Sequence, residues 1–347
     1  MFSISQKKQS FNKARKVFER KNIVVAGGAG FIGSHLCENL LKDANVICID
    51  NFISGSERNI DHLLANPYFR FLKQDINTVF DLKDIPELED FQIRFQGVEE
   101  IYNLACPHAP TEFEEQEEST LLANSIGMKN ICDMALSFDA KLVHFSSGVV
   151  YGARPKDGHR ISEEECGEVN SLSLRATYDE GKRFSETIAN FYRRHYNLSV
   201  KILRVFRTYG PRMPLDRGHM IPDFVLAALR GESLMIFGDE HFFTSLCYVS
   251  DVVNAAEKLM KAKDAQVINV GGSEEFALAD VAKEIVKLTE SKSLVSYSPP
   301  ILMMAPLGIP NIEKAQKLLG WIPLVSLQQG LKHTITYIKA EHQLLRL

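Results

Sequence analysis

The chain has 347 residues, of which 45% are hydrophobic and 24% are charged, values typical of a globular protein with a substantial core. Forty basic and forty-four acidic residues give a formal net charge of −4, which disfavours nucleic-acid binding as the main activity. No stretch approaches the roughly 18 consecutive apolar residues of a membrane-spanning helix. The composition therefore predicts neither a nucleic-acid nor a membrane partner.

The N-terminal residues 1–22 are basic, with seven lysines and arginines against the single acidic residue Glu19. They lack the apolar centre of a secretory signal, so we expect a solvated basic N-terminal extension; a transit peptide is the alternative. The six cysteines lie at least eleven residues apart, which predicts no redox pair and no metal site. Cys37, Cys48 and Cys132 sit among apolar residues, so we expect buried thiols in a reducing, cytoplasmic compartment.

Short apolar runs alternate with amphipathic segments from residue 22 onward. The predicted strands are 22–26, 45–50, 69–75, 100–104, 141–146 and 199–205, and the predicted helices include 119–138 and 178–194. This alternation predicts an α/β fold with a Rossmann-type doubly wound parallel sheet. After residue 206 glycine and proline punctuate the chain more often. We therefore predict a first domain at 23–206, with contributions from about 242–270, and a smaller α+β domain at 207–347.

A glycine-rich loop follows the first strand and opens a helix, with glycines at 27, 30 and 33. In this context glycines allow a tight turn and a close approach to a pyrophosphate, which the helix N-terminus binds. Asp50 ends the second strand, where its carboxylate can accept both hydrogen bonds of a ribose diol and would repel a 2′-phosphate. The first domain is therefore predicted to bind NAD, with Asp75 bonding the adenine amine. The expected cofactor contacts are Gly27, Gly30, Phe31, Ile32, Gly33, Asp50, Asn51, Asp75, Ile76, Leu104, Ala105, Asn124 and Lys182.

Tyr178 and Lys182 are four residues apart in a predicted helix, so their side chains share one face. An ammonium group beside a phenol is expected to lower the phenol pKa from about 10 towards neutrality, which makes Tyr178 a general base for a sugar hydroxyl. Ser147 lies at the carboxyl end of a predicted strand, the edge where open parallel sheets bind ligands. We therefore predict Tyr178, Lys182 and Ser147 as catalytic residues; a surface pair without a chemical role is the alternative.

Several further motifs are similar to those of extended short-chain dehydrogenase/reductases that modify nucleotide sugars, and most resemble the UDP-glucuronate decarboxylases (UDP-xylose synthases). They are LACP (104–107), YDEGKR (178–183), TYGPRM (208–213), YVSD (248–251) and LGWIP (319–323). The resemblance implies that Tyr178 takes the proton of the sugar 4-hydroxyl while NAD takes the hydride, and that the 207–347 domain binds the nucleotide sugar. It also implies a homodimer in which helices 119–138 and 178–194 form a four-helix bundle. The apolar residues compatible with that interface are Ile126, Ile131, Met134, Phe184, Ile188 and Phe191.

The sequence departs from that family at positions where family members carry residues for acid–base chemistry or for anion binding. The decarboxylases and 4,6-dehydratases of this family carry an acidic residue after the catalytic Ser or Thr, typically a glutamate two positions on, where this chain has Gly148 and Val149. The neighbouring 4-epimerases have small neutral residues there, which this chain resembles better. Thr244 and Gly308 replace two family arginines that meet a diphosphate or a carboxylate, whereas Arg207 replaces an asparagine. These changes weaken decarboxylation and dehydration and indicate relocated phosphate contacts. The expected substrate contacts are His108, Ser147, Gly148, Val149, Arg207, Arg212 and Arg217.

The loop at 112–118 contains five glutamates. Such a run is typical of a solvated helix start, where carboxylates suit the helix dipole. If the loop instead faces the sugar, it would disfavour an anionic glucuronate. His108, just before the loop, is either a substrate contact or second acid/base, or a loop histidine without a chemical role.

These patterns favour an NAD-dependent nucleotide-sugar enzyme that oxidises C4, either a 4-epimerase or a 4-keto-forming dehydrogenase/reductase. UDP-glucuronate decarboxylase is the second interpretation and 4,6-dehydratase the third. A non-catalytic dinucleotide-binding protein is the remote alternative. No ligand spacing among the histidines and cysteines indicates a metal.

Overall fold

The protein is described by a computed structural model over residues 18–108, 110–300 and 307–344. Residues 1–17 of the predicted extension lie outside this range, and Lys21 already belongs to the first strand. The strands are β1 (Lys21–Ala26), β2 (Ala44–Asp50), β3 (Phe69–Lys73), β4 (Glu100–Asn103), β5 (Lys141–Ser147), β6 (Val200–Val205), β7 (Thr208–Tyr209), β8 (Leu234–Phe237), β9 (Phe243–Thr244), β10 (Cys247–Tyr248), β11 (Val267–Val270), β12 (Phe276–Ala277) and β13 (Val295–Ser298). The helices are α1 (Phe31–Leu40), α2 (Ile93–Gln96), α3 (Glu117–Leu122), α4 (Met128–Phe138), α5 (Ala176–Tyr196), α6 (Met220–Arg230), α7 (Val249–Lys261), α8 (Leu278–Thr289), α9 (Glu313–Leu319) and α10 (Leu327–Leu344).

Seven strands form one parallel sheet in the order β11-β6-β5-β4-β1-β2-β3. Val25 of β1 is in register with Cys48 of β2 on one side and with Tyr102 of β4 on the other. The strand order changes direction between β1 and β4, and such a switch point opens a ligand crevice at the carboxyl ends of the strands. The predicted α/β fold with a Rossmann-type doubly wound sheet is confirmed.

The central strands are apolar throughout because helices cover both faces of the sheet. One buried cluster lies against α1 and α7 and includes Leu36 and Val252. The other lies against α4 and α5 and includes Cys132 and Ala189. Both faces are therefore sealed, and the strand ends are the part of the sheet open to a ligand.

The helix predicted at 119–138 contains an irregular segment. It consists of α3, a π-helical segment Ala123–Gly127 and α4. A Cβ at Gly127 would lie 2.7 Å from the end of the Ile76 side chain, so a larger residue there would have to displace that side chain. π-helical segments of this kind are frequent near functional sites, and this one lies behind the loop that carries Cys106.

The residues after β6 form a second packed region. It contains three two-stranded sheets, β10-β7, β12-β9 and β13-β8, and a buried cluster between α6, α8 and α10. Asp251 links α7 to the segment between α9 and α10, because its carboxylate accepts hydrogen bonds from Leu324 N (3.1 Å) and Val325 N (3.0 Å). β11 belongs to the seven-stranded sheet, although it follows this region in the chain. The domain boundary at 206 and the contribution of about 242–270 to the first domain remain predictions. No helix in the described residues is long and apolar enough to cross a membrane.

Only some of the apolar residues predicted to lie in a dimer interface are exposed on these helices. Ile126, Phe184 and Phe191 are exposed at their surface. Ile131 is buried in the core, which excludes it from an interface, because its side chain packs under the sheet. The remaining two residues of that set, Met134 and Ile188, pack against the same core cluster.

Candidate active site

A cavity of about 730 Å³ opens where β1, β2, β4 and β5 end. Residues from each of these strand ends line it, together with residues from the loops before α5 and α6. Every predicted catalytic, cofactor and substrate residue contributes to the lining except Asn124 and Gly148. The sheet edge thus brings together side chains that are far apart in the sequence.

The glycine turn leaves no room for side chains on the cavity floor. Gly27 has φ 78°, and a Cβ there would lie 2.7 Å from Ala105 N. A Cβ on Gly33 would overlap the carbonyl oxygen of Gly27. Gly30 is the N-cap residue of α1, so the open amides of that helix face the cavity. Such a cradle fits the pyrophosphate of a dinucleotide.

Asp50 is held rigidly at the end of β2. Its carboxylate accepts hydrogen bonds from Ala29 N (3.0 Å) and Phe52 N (2.9 Å), and burial raises its pKa. Beside it, Asn51 donates to Asp75 (3.1 Å), which follows β3 by two residues instead of closing it. Both carboxylates line the cavity, and their contacts to a ribose diol and an adenine amine remain predictions.

Two predicted contacts are not supported by the geometry. Asn124 is fully buried and donates to Thr120 O (2.9 Å) and Cys106 Sγ (3.1 Å), so it fixes the Cys106 loop instead of facing the cavity. Gly148 is also buried, and a Cβ on it would lie 2.9 Å from the Phe206 ring. Its small size therefore serves packing.

The three predicted catalytic side chains lie close together at the carboxyl end of β5. Ser147 is hydrogen-bonded to the phenol of Tyr178, and its Oγ accepts from Val149 N (3.4 Å). Lys182 Nζ donates to the carbonyl of Phe145 (3.0 Å) and lies 5.9 Å from the centre of the Tyr178 ring. Both α5 residues are buried, so the phenol and the ammonium are fixed in place.

The expected lowering of the Tyr178 pKa is wrong. Burial raises the pKa of Tyr178 strongly, and Cys106 raises it further, whereas the hydrogen bond from Ser147 lowers it. The Lys182 ammonium lies 5.9 Å from the ring centre and is not among the main influences on this pKa, in which burial is the largest. Burial therefore favours the neutral phenol, and any positive charge near its oxygen favours the phenolate.

A buried polar network below Lys182 was not predicted. Asn103 bonds His144 Nδ1 (3.3 Å), and His144 Nε2 bonds Ser185 Oγ (2.8 Å). Ser185 in turn donates to the carbonyl of Lys182 (2.8 Å). Burial lowers the pKa of His144, so this imidazole is neutral and links the sheet to the turn of α5 that carries the lysine.

One wall of the cavity beside Tyr178 is apolar. Val149 and Tyr178 form a buried cluster with Phe113, and Cys106 and Leu307 pack against it. The position of the family glutamate is therefore occupied by a hydrocarbon side chain in contact with aromatic groups. This wall offers no carboxylate to move a proton.

His108 lies over the phenol ring. The ring centroids of His108 and Tyr178 are 4.4 Å apart with an interplanar angle of 16°. Enclosure in the cavity, followed by His219 and nearby cations, lowers the pKa of His108 to about 3. Burial also lowers the pKa of His219 to about 4. Both imidazoles are therefore neutral at physiological pH and can donate or accept one hydrogen bond each.

Arginines surround the opposite side of the site. Arg207 and Arg212 line the cavity, and Arg217 at its rim forms an ion pair with Glu112 of the acidic loop. Arg175, which was not predicted, also lines the cavity and forms an ion pair with Asp179 (3.2 Å). Its position one turn before Tyr178 was the available signal.

The two positions that lack family arginines do not contribute to the lining. Thr244 is fully buried, and its hydroxyl donates to Ser245 O (3.2 Å). A Cβ on Gly308 would overlap the end of the Ile161 side chain, so a longer residue there would have to displace Ile161. In the described residues no cluster of three or more His, Cys, Asp or Glu side chains is arranged to hold a metal ion.

The Rossmann-type sheet, the glycine cradle and the adjoining serine, tyrosine and lysine define a dinucleotide-dependent enzyme of the short-chain dehydrogenase/reductase class. The NAD dependent epimerase/dehydratase family matches residues 23–271. The chain belongs to this family, and NAD is its cofactor.

Known relatives carry out more than one reaction. UDP-glucuronic acid decarboxylase 1 from Danio rerio is 35% identical over 328 residues, covering 94% of this chain and 75% of the relative. UDP-glucuronic acid 4-epimerase from Bacillus cereus, solved with UDP-glucuronic acid and NAD, has a TM-score of 0.81 at 28% identity, covering 92% of this chain and 99% of that one. dTDP-glucose 4,6-dehydratase from Bacillus anthracis, solved with NAD, has a TM-score of 0.79 at 27% identity, covering 93% and 98%.

Proposed function

We propose that this protein oxidises the C4 hydroxyl of a nucleotide sugar and acts as a 4-epimerase or a 4-keto-forming dehydrogenase/reductase. The observation that carries the proposal is the contact between Ser147, Tyr178 and the apolar Val149. This arrangement supplies what proton removal at C4 needs and no carboxylate on the wall where the related decarboxylases have one.

In this proposal Tyr178 accepts the proton of the C4 hydroxyl. Ser147 donates a hydrogen bond that stabilises the phenolate, and the Lys182 ammonium, held by the Phe145 carbonyl, lies 5.9 Å from the ring centre. Bound NAD supplies the hydride acceptor and a positive ring charge that favours the phenolate. Tyr178 returns its proton to the same oxygen when C4 is reduced again.

The cofactor and substrate assignments are part of the same proposal. Residues 23–206, with contributions from about 242–270, bind NAD through the glycine turn and Asp50, and residues 207–347 bind the sugar nucleotide. On the substrate side we assign His108, Ser147, Val149, Arg207, Arg212 and Arg217. A cytoplasmic location fits the free cysteines of the described chain.

Decarboxylation of UDP-glucuronate is the second candidate, favoured by the similarity to the Danio rerio decarboxylase. The two reactions share oxidation at C4 and differ in whether a carboxylate then leaves C5. The test is to incubate the NAD-loaded protein with UDP-glucose, UDP-glucuronate and dTDP-glucose and to identify the products by NMR and mass spectrometry. We expect a C4 epimer or a 4-keto sugar. UDP-xylose and carbon dioxide as the main products would overturn the first candidate.

We also propose a homodimer formed by the exposed apolar surface of α5 and the preceding π-helical segment. Phe184 and Phe191 lie two turns apart and are 52% and 41% exposed, and Ile126 is 48% exposed. Burying such side chains in a partner stabilises association. Phe184→Glu should yield a monomer in sedimentation velocity, whereas Val79→Glu, at another exposed apolar position, should not. An unchanged sedimentation coefficient for Phe184→Glu would contradict the interface.

A further inference from the structure

The end of the cavity next to Tyr178 is rich in positive charge. Arg175, Lys182 and Arg207 line this end, and all three lie near enough to His108 to lower its pKa. A site with several cations and a neutral imidazole attracts an oxyanion, since cationic donors form the stronger hydrogen bonds to charged oxygens.

The surroundings of Arg207 make negative charge favourable. The Nη1 atom lies 3.7 Å from Met220 Sδ, and the guanidinium carbon lies 5.6 Å from the centre of the Phe242 ring. Burial, and next the charge of Arg175, lowers the pKa of Arg207 to about 10. A cation held among sulfur and aromatic groups beside a second cation is stabilised when a ligand brings an oxyanion.

Arg175 is fixed relative to the reacting phenol. Its carbonyl accepts a hydrogen bond from Tyr178 N (3.0 Å), and its guanidinium is held by Asp179 at 3.2 Å. The side chain is 12% exposed and lines the cavity, so its position follows that of α5. A group bound by Arg175 is therefore close to the sugar and not at the distant adenine end.

Resting on the proposed function, we propose that Arg207 and Arg175 form an oxyanion subsite for the nucleotide sugar and that Arg207 determines the preference for charged substrates. The oxyanion is a phosphate oxygen of the diphosphate or a carboxylate on the sugar, since both fit the guanidinium fork of Arg207. Arg175 donates from Nε and Nη2 to Asp179, so it contributes its charge and not a second fork. Arg207 is a departure from the family pattern, so this preference belongs to this chain.

The test compares wild type with Arg207→Met, which keeps the length and apolar contacts of the side chain and removes its charge. Isothermal titration of the NAD-loaded protein uses UDP, UDP-glucose, UDP-glucuronate and inorganic pyrophosphate. Loss of a charge-assisted fork predicts about ten- to a hundredfold weaker binding. Arg94→Gln, which removes an exposed arginine paired with Asp84, is the matched control and should bind as wild type.

Equal weakening of UDP, UDP-glucose and UDP-glucuronate assigns the subsite to phosphate, and weakening of UDP-glucuronate alone assigns it to a sugar carboxylate. Binding of all four probes within twofold of wild type by a folded Arg207→Met overturns the subsite. Folding is checked by the thermal midpoint and NAD affinity. If Arg207→Met does not fold, Arg207→Gln, which also removes the charge, replaces it, and unchanged affinity in that variant also overturns the subsite.

The proposed function and the subsite can fail separately. If pyrophosphate binding depends on Arg207 but no nucleotide sugar is converted, the function fails and the subsite stands. If nucleotide sugars are converted and Arg207→Met binds them normally, the function stands and the subsite fails. Wild type that binds none of the four probes contradicts both.

Discussion

Removal of the Ser147 hydroxyl tests how the phenol is activated. Ser147→Ala deletes the hydrogen bond that lowers the pKa of Tyr178, while burial and Cys106 continue to raise it. A hydrogen bond to a charged oxygen contributes about 1.5–3 kcal/mol. Because one pKa unit equals about 1.36 kcal/mol, the pKa of Tyr178 should rise by roughly one to two units.

The sign of the effect on activity follows from the role of Tyr178 as a base. Below its pKa only the deprotonated fraction reacts, so a raised pKa lowers the rate at fixed pH and moves the acid limb of the profile upward. We expect kcat/KM at neutral pH to fall about ten- to a hundredfold, by this shift alone. Initial rates of Ser147→Ala, Ser147→Thr and wild type from pH 6 to 10 measure it. Thr should restore the acid limb, and an unchanged limb in a folded Ser147→Ala would refute the reasoning.

Three further outcomes follow from the described contacts. Gly33→Ala should weaken NAD binding and lower stability by about 1–3 kcal/mol, because its Cβ meets backbone on the opposite side of the turn; unchanged NAD titration would contradict this. Glu186→Met should lower the free energy of unfolding in urea by about 3 kcal/mol, because it leaves the partly buried Arg204 without the carboxylate that lies 2.7 Å away. The double variant Glu186→Met/Arg204→Met should recover most of this loss. A loss under about 1 kcal/mol in the single variant would contradict a stabilising role of this ion pair. Asp50→Ser should reduce the preference for NAD over NADP in equilibrium binding, and an unchanged ratio would exclude the ribose contact.

The parts of the site that could be predicted are those encoded by local spacing. The glycines of the first loop, Asp50 at a strand end, and the pair Tyr178 and Lys182 one turn apart are each set by one strand or one helix. Since parallel strands end at one edge, the sequence also predicted that Ser147 would lie near them. These side chains all line the same cavity.

What could not be predicted depends on loops that meet in three dimensions. The stacking of His108 on Tyr178 and the approach of Phe113 join loop residues to α5, and no periodic pattern records them. The raised pKa of Tyr178 reflects total burial, which spacing from Lys182 does not reveal.

Cys37, Cys48 and Cys132 are free and buried, as expected, but the spacing did not reveal how close two of these thiols lie. Cys37 and Cys48 lie in α1 and β2, yet their thiols are hydrogen-bonded below the glycine turn. A Cβ on Gly28 would lie 2.6 Å from Cys48 Sγ and 3.0 Å from Cys37 Sγ, because the helix packs directly on the strand. Separation along the chain therefore did not exclude a neighbouring pair of thiols.

Hydride transfer from C4 is tested most directly by stopped-flow absorbance at 340 nm with a nucleotide sugar carrying deuterium at C4. Wild type loaded with NAD should show a transient or lasting rise in absorbance at 340 nm, and deuterium should slow that rise. In Tyr178→Phe the rate of the rise should fall by about a hundredfold or more. Substrate conversion with no absorbance change and no isotope effect, or a Tyr178→Phe variant as fast as wild type, would contradict the account.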